Sequence, residues 1–252
     1  MEKYITINEG KTSIRCKAYF DDWKTPQAVV LYGHGFSGHK DNRAAERFAK
    51  RLLEKNKHAV ILCFDWPCHG DDVRKKLRLD DCSAYLRLLT AYCTERWPQA
   101  RLLGCATSFG GYLFLRCVQT EGNPFEKLGL RCPATNMYEV LTRTIMSEDA
   151  LAAIKRGKPV SVGFDRKVEV DAEFLQELAQ ADITKADFLD AADDLLIVHG
   201  TKDEIVPFAD VQRFAENNCI KLIPVEGADH RFLDPQKMEA AITSMLSFFG
   251  FR

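Results

Sequence analysis

The stretch Ala100-Arg101-Leu102-Leu103-Gly104-Cys105-Ala106-Thr107-Ser108-Phe109-Gly110-Gly111 decides how the rest of the chain is read. Its first eight residues form an apolar run of strand length, and the pattern from Ser108 to Thr120 is helical. A serine between the two stands on a sharp strand-to-helix turn. Small residues are needed two positions before and two after it, because anything larger collides with the adjoining strand and helix. Ala106 and Gly110 meet that demand, although alanine stands where glycine is usual.

Outward from this turn the same unit recurs. Residues 27–33 precede a helical pattern at 41–56, and residues 59–65 precede one at 80–97. Residues 194–200 precede one at 207–218, and residues 220–227 precede one at 235–249. Apolar strands alternating with amphipathic helices predict an α/β fold, a mostly parallel central sheet covered by helices on both faces. The N-terminal twenty residues alternate like a strand pair rather than a signal peptide. The rhythm breaks after residues 127–132. Residues 133–186 hold two helical patterns and a short hairpin pattern at 159–170, and an insertion of this length predicts a cap over the strand ends. The expected division is a core of residues 1–132 and 187–252, with a cap of residues 133–186 after the sixth core strand.

Composition narrows the partners. The chain has 252 residues with 35 Lys and Arg against 36 Asp and Glu, a net charge of −1. That balance excludes a binder of nucleic acid or membrane surfaces driven by bulk charge. No apolar run approaches the roughly 20 residues that span a bilayer. The nine cysteines are odd in number, lack Cys-x-x-Cys spacing and lie mostly in apolar segments. They predict a reducing, cytoplasmic setting without a disulfide framework. The histidines have no metal-ligand spacing and Gly33, Gly35 and Gly38 match no nucleotide-binding loop, so neither metal nor cofactor is expected.

Three further segments follow apolar strands and carry chemistry. After residues 194–198, His199-Gly200-Thr201-Lys202-Asp203-Glu204 offers Asp203 as a carboxylate able to orient an imidazole, with Glu204 read as a solvated loop charge. After residues 220–225, Gly227-Ala228-Asp229-His230 offers His230 as a general base. The order serine, acid, histidine, each at the end of a separate strand, favours a nucleophilic triad of Ser108, Asp203 and His230. After residues 28–31, Tyr32-Gly33-His34-Gly35-Phe36-Ser37-Gly38 can turn tightly enough to aim the Phe36 N–H at a developing oxyanion. The Phe109 N–H, at a helix N-terminus, is the second expected donor. His34, His69 and His199 are read as residues that shape turns near the site, and His39 and His58 as surface residues. Phe36, Trp66, Phe109, Met137, Tyr138 and Met146 are candidates for an acyl pocket, with core packing an equal reading of each.

Together HGFSGHK, ATSFGG, HGTKDEIVP and GADHRF resemble the α/β-hydrolase superfamily, and within it small bacterial esterases of the cinnamoyl (feruloyl) esterase and serine aminopeptidase-like group. Residues 64–72 also resemble that family's segment after the fourth strand, with Cys68 where glycine is common. The resemblance implies a serine hydrolase that cleaves small carboxylic esters through an acyl-enzyme. It implies Ser108 as nucleophile, Asp203 as acid, His230 as base, and Phe36 with Phe109 as the oxyanion hole. An aminopeptidase, thioesterase or acyl-transfer enzyme with the same triad is the alternative; for the aminopeptidase, Glu139, Glu148, Asp149 or Glu173 would hold the substrate ammonium. A non-catalytic small-molecule binder is the remaining possibility. The expected partner is a small-molecule ester, and the expected assembly a monomer or homodimer.

Overall fold

The computed structural model describes residues 1–164 and 166–251. Asp165, inside the predicted hairpin, and Arg252 lie outside the described residues.

The chain opens with β1 (Glu2–Glu9) and β2 (Thr12–Phe20), an antiparallel pair joined at Gly10. There follow β3 (Ala28–Gly33), α1 (Arg43–Lys55), β4 (Ala59–Phe64), α2 (Leu79–Arg96), β5 (Arg101–Thr107), α3 (Phe109–Glu121) and β6 (Lys127–Arg131). After the insertion come β9 (Leu195–Gly200), α7 (Phe208–Asn217), β10 (Lys221–Val225) and α8 (Pro235–Phe248). Eight strands form one sheet in the order β1-β2-β4-β3-β5-β6-β9-β10. From β4 to β10 every neighbouring pair is parallel, and β2 meets β4 antiparallel.

The apolar runs explain this layering. β3, β4 and β9 are buried along their whole length, as expected when helices cover both faces. Alternate residues feed opposite cores. Val29, Leu31, Val60 and Leu62 face a core with Leu86, Leu89 and Phe114. Val30, Tyr32, Ile61 and Cys63 face one with Phe48 and Leu52 of α1 and Met245 and Leu246 of α8. Helix starts follow local chemistry: the Asn42 carboxamide accepts from Ala45 N–H, and Asp234 caps α8 ahead of Pro235. Seven cysteines are buried and Cys219 is exposed, so most pack as small apolar side chains. No helix among the described residues is long and apolar enough to cross a membrane.

Between β6 and β9 lie α4 (Met137–Glu139), which runs on as one π-helical stretch over Val140–Ile145, then α5 (Glu148–Lys155). The hairpin β7 (Val160–Val162) and β8 (Val168–Val170) follows, then α6 (Ala172–Gln180) and two 3₁₀ turns. Arg78, just before α2, grips Asp171 with both terminal nitrogens at 3.0 and 2.7 Å and also pairs with Glu173. Glu177 accepts from Leu79 N–H at 2.8 Å, and Tyr112 donates to Ala181 O at 2.9 Å. Phe174, fully buried, meets the Phe109 ring edge-on. Phe164 N–H donates to Ser37 Oγ at 3.1 Å, so the hairpin turn touches the loop after β3.

Candidate active site

Ser108 links β5 to α3 with φ +53° and ψ −118°, a conformation that costs a non-glycine residue on the order of 1–3 kcal/mol. Its neighbours over-determine the turn. Ser108 N–H donates to Arg131 O at 3.1 Å, while Ser108 O accepts from Tyr112 N–H at 3.0 Å and Ala134 N–H at 3.1 Å. A side chain at Gly110 would put its Cβ 2.6 Å from His34 O and 2.8 Å from Gly33 O; the helix can approach β3 this closely only with glycine there. Ala106 is fully buried, so the methyl in place of the usual glycine is accommodated.

His230, after β10, reaches Ser108 Oγ through Nε2 at 3.0 Å and Asp203 Oδ2 through Nδ1 at 2.8 Å. A carboxylate only accepts, so Nδ1 carries the proton and Nε2 is left to accept from the serine hydroxyl. The three side chains proposed from strand-end position therefore meet. Glu204 is exposed, in line with a solvated charge.

Asp203 is held by more than His230. Its Oδ1 accepts from Ile205 N–H at 2.9 Å and Val206 N–H at 2.8 Å. His199 Nε2 lies 3.2 Å from Oδ2 and 3.0 Å from Val206 O. Both neighbours are acceptors, so this nitrogen also carries its proton. Burial opposes the carboxylate, but the hydrogen bonds from His199, His230 and the Val206 N–H outweigh it. Asp203 is held well below the usual carboxylate range. The expectation that His199 shapes a nearby turn is met through Val206, and its contact with Asp203 was not anticipated.

The sulfur of Cys132 completes a group with Asp203 and His230 whose potential ligand atoms lie within 4.8 Å of one another. Burial, reinforced by the Asp203 charge, pushes the Cys132 thiol well above its usual pKa. A thiol kept protonated is a poor ligand, and the carboxylate and Nδ1 already bond to each other, so these residues suit a hydrogen-bonded network better than a metal ion.

Phe36 and Phe109 lie side by side, their rings 5.7 Å apart and edge-on. Gly35 is pressed against the serine: a Cβ there would stand 3.2 Å from Ser108 Cβ. The Gly35 carbonyl lies 2.8 Å from His34 Nδ1 and accepts from Gly38 N–H at 3.0 Å. His34 Nε2 accepts from Trp66 N–H at 3.3 Å, which assigns the proton to Nδ1 and makes it a donor to Gly35 O. In a trans peptide the C=O and N–H point opposite ways, so both bonds fix the direction of the Phe36 N–H. The loop is also clamped from below. Asp65, at the end of β4, accepts from Lys40 N–H at 2.7 Å, Lys40 Nζ at 3.0 Å and Asp71 N–H at 2.9 Å. Burial disfavours the Lys40 charge, but Asp71 and Asp65 more than offset it and its pKa is raised.

Trp66, Met137 and Met146 are buried in the core, Tyr138 and His39 are half-buried, and His58 is exposed. Among the acidic residues considered for an ammonium, Glu139 pairs with Arg143 and Glu173 with Arg78, while Glu148 and Asp149 are exposed in the first turn of α5.

Comparison with known proteins agrees with this architecture. A hydrolase from Agrobacterium vitis superposes with a TM-score of 0.76 at 14% identity, covering 98% of each chain. Est1E from Butyrivibrio proteoclasticus, solved with ferulic acid bound, gives 0.74 at 18% identity over 98% of this chain and 99% of that one. A monoacylglycerol lipase from Paleococcus ferrophilus gives 0.64 at 16% identity over 93% and 99%. At these identities the likeness establishes the fold. Residues 29–241 match the alpha/beta hydrolase family over most of the chain, and the chain belongs to that family.

Proposed function

We propose that this hydrolase cleaves small carboxylic esters through an acyl-enzyme on Ser108, with His230 as general base and acid and Asp203 orienting it. The observation that carries the reading is the continuous relay from Ser108 Oγ through His230 to Asp203, at 3.0 and 2.8 Å. Ser108 Oγ attacks the ester carbonyl carbon as its proton passes to His230 Nε2. The imidazolium is stabilised by Asp203, which keeps its charge throughout. Negative charge gathers on the carbonyl oxygen, which the Phe36 and Phe109 N–H groups receive; each such donor supplies roughly 3–4 kcal/mol in comparable sites. Collapse breaks the bond to the alkoxy oxygen, which takes the proton from His230. Water then attacks the acyl-enzyme carbonyl, giving a proton to His230, and collapse breaks the bond to Ser108 Oγ, which takes that proton back as the acid leaves.

In this reading residues 133–186 act as the cap. Its supports are the hairpin contact to Ser37 and the seating of Phe174 against Phe109, which bring the insertion to both loops that carry oxyanion donors.

Hydrolysis of p-nitrophenyl butyrate tests the assignment. Ser108→Ala is expected to lower kcat by at least about 10⁴-fold, and a fluorophosphonate probe is expected to label the parent but not the variant. Equal rates in the two proteins overturn it.

A further inference from the structure

Arg131 ends β6 and is 9% exposed, a charged residue closing a strand in which Leu128, Gly129 and Leu130 are buried. A guanidinium taken out of water needs partners for its charge, and a carboxylate is the ordinary one. Among the described residues Arg131 pairs with no carboxylate. Its partners are neutral. Nη1 donates to Arg231 O at 3.2 Å, and the guanidinium carbon stands 5.4 Å from the centre of the Phe232 ring, a cation–π contact. The cavity that Arg131 lines with Tyr32 and Cys105 is about 10 Å³, room for one water and too small for a substrate group. The charge therefore acts inside the fold, on the turn that carries His230.

That turn is closed from Asp229 to Phe232: Phe232 N–H donates to Asp229 O at 3.2 Å, and His230 is the second of its residues. The Arg231 carbonyl and the Phe232 N–H are opposite ends of one peptide plane. Arg131 holds one end and Asp229 the other. Phe232, at φ +54° in the left-handed region, lays its ring against the guanidinium. A residue with a side chain keeps that conformation only where its surroundings fix it. The main chain of Arg131 serves the other partner of the pair. Its carbonyl accepts from Ser108 N–H at 3.1 Å and from Thr107 Oγ1 at 3.0 Å. One residue thus joins the turn of the nucleophile, through its carbonyl, to the turn of the base, through its side chain. We propose that Arg131 is a positioning residue that sets the 3.0 Å approach of His230 Nε2 to Ser108 Oγ. Arginine suits this task because its planar fork donates edgewise to a carbonyl while its face covers a ring. The assignment rests on the ester-hydrolase reading above.

Arg131→Met keeps an unbranched stem to lie on Phe232 but loses every donor. It is expected to lower kcat for p-nitrophenyl butyrate about 10- to 100-fold, the scale of loss that a misplacement near 1 Å brings. KM is expected to stay within about 3-fold of the parent, since the loss falls on the transition state. A residue that acts through His230 has nothing to act on once the imidazole is gone. Adding Arg131→Met to His230→Ala is therefore expected to change kcat by less than about 2-fold, whereas simple loss of folded protein lowers both backgrounds alike. Arg131→Gln carries the same cycle should the methionine variant not fold. Failure of both to fold overturns the assignment, because Arg131 then serves the fold and not the pair. An unchanged kcat, a larger effect on KM than on kcat, or an equal fall in the two backgrounds overturns it too. Ser108→Ala separates this inference from the reading beneath it. If that variant loses hydrolysis, only the positioning role is at stake; if it matches the parent, both readings fall.

Discussion

In the proposed mechanism a single peptide plane controls how the site receives charge. The Gly35 carbonyl holds two hydrogen bonds, from His34 Nδ1 at 2.8 Å and Gly38 N–H at 3.0 Å, and the Phe36 N–H is the other end of that plane. Removing the imidazole leaves one anchor, so the plane can rotate and the donor loses its aim. His34→Leu is expected to lower kcat for p-nitrophenyl butyrate by about 10- to 100-fold, less than the roughly 10²–10³ lost when a donor is removed outright, with KM changing less than kcat. A larger effect on KM than on kcat would contradict the role. Ser108, Asp203 and His230 were legible because each follows an apolar run, and strand ends are where this kind of sheet places ligands. The added partners of Asp203 were not. His199 stands four positions before it, a spacing that hints at contact across a tight turn, but the approach of Cys132 depends on β6 lying beside β9, which no local pattern records.

At the scale of elements, the parts with strong periodicity formed where the sequence places them, with boundaries shifted by a residue or two. The predicted helix at 41–56 is α1 at Arg43–Lys55, and the strand at 194–200 is β9 at Leu195–Gly200. Continuous burial leaves such runs few alternatives. The insertion was legible as two helices and a hairpin, yet the π-helical stretch at Val140–Ile145 was not, since its apolar residues fit an ordinary helix equally well. What the insertion rests on was also hidden, because the contacts of Phe174 and Arg78 join residues far apart in the chain. Phe174 is fully buried from α6 against Phe109. Phe174→Ala is expected to cost about 3–5 kcal/mol in urea unfolding. Because the lost ring lies against a proposed oxyanion residue, kcat on p-nitrophenyl butyrate is expected to fall as well. A change below about 1 kcal/mol would mean that the insertion repacks freely around the gap.

For the whole molecule, two histidines enclosed with the site set how it responds to acid. His69 is 2% exposed, its ring lies flat over Phe109, and its Nδ1 is 2.8 Å from Pro67 O. Burial pushes its pKa down to about 4. His34, 5.4 Å from it ring to ring, is lowered in the same direction by burial and by the neighbouring His69 charge. Above the unfolded value near 6.5 these rings are neutral whether or not the chain is folded, and their contribution is complete. Below it the unfolded chain takes up a proton that the folded protein refuses until about pH 4 for His69, so stability drains away through that window. His69 alone accounts for about 3 kcal/mol, and His34 adds to it. Asp203 acts in a different range. Its carboxylate is lowered, so its contribution is present above the unfolded value of about 3.9 and is lost only as the pH falls below that. The melting temperature is therefore expected to fall by roughly 5–10 °C between pH 7 and 4.5, and His69→Phe is expected to flatten the slope. A melting temperature independent of pH over this interval would mean that water reaches these rings and that the wall between His34, Phe36 and Phe109 is open.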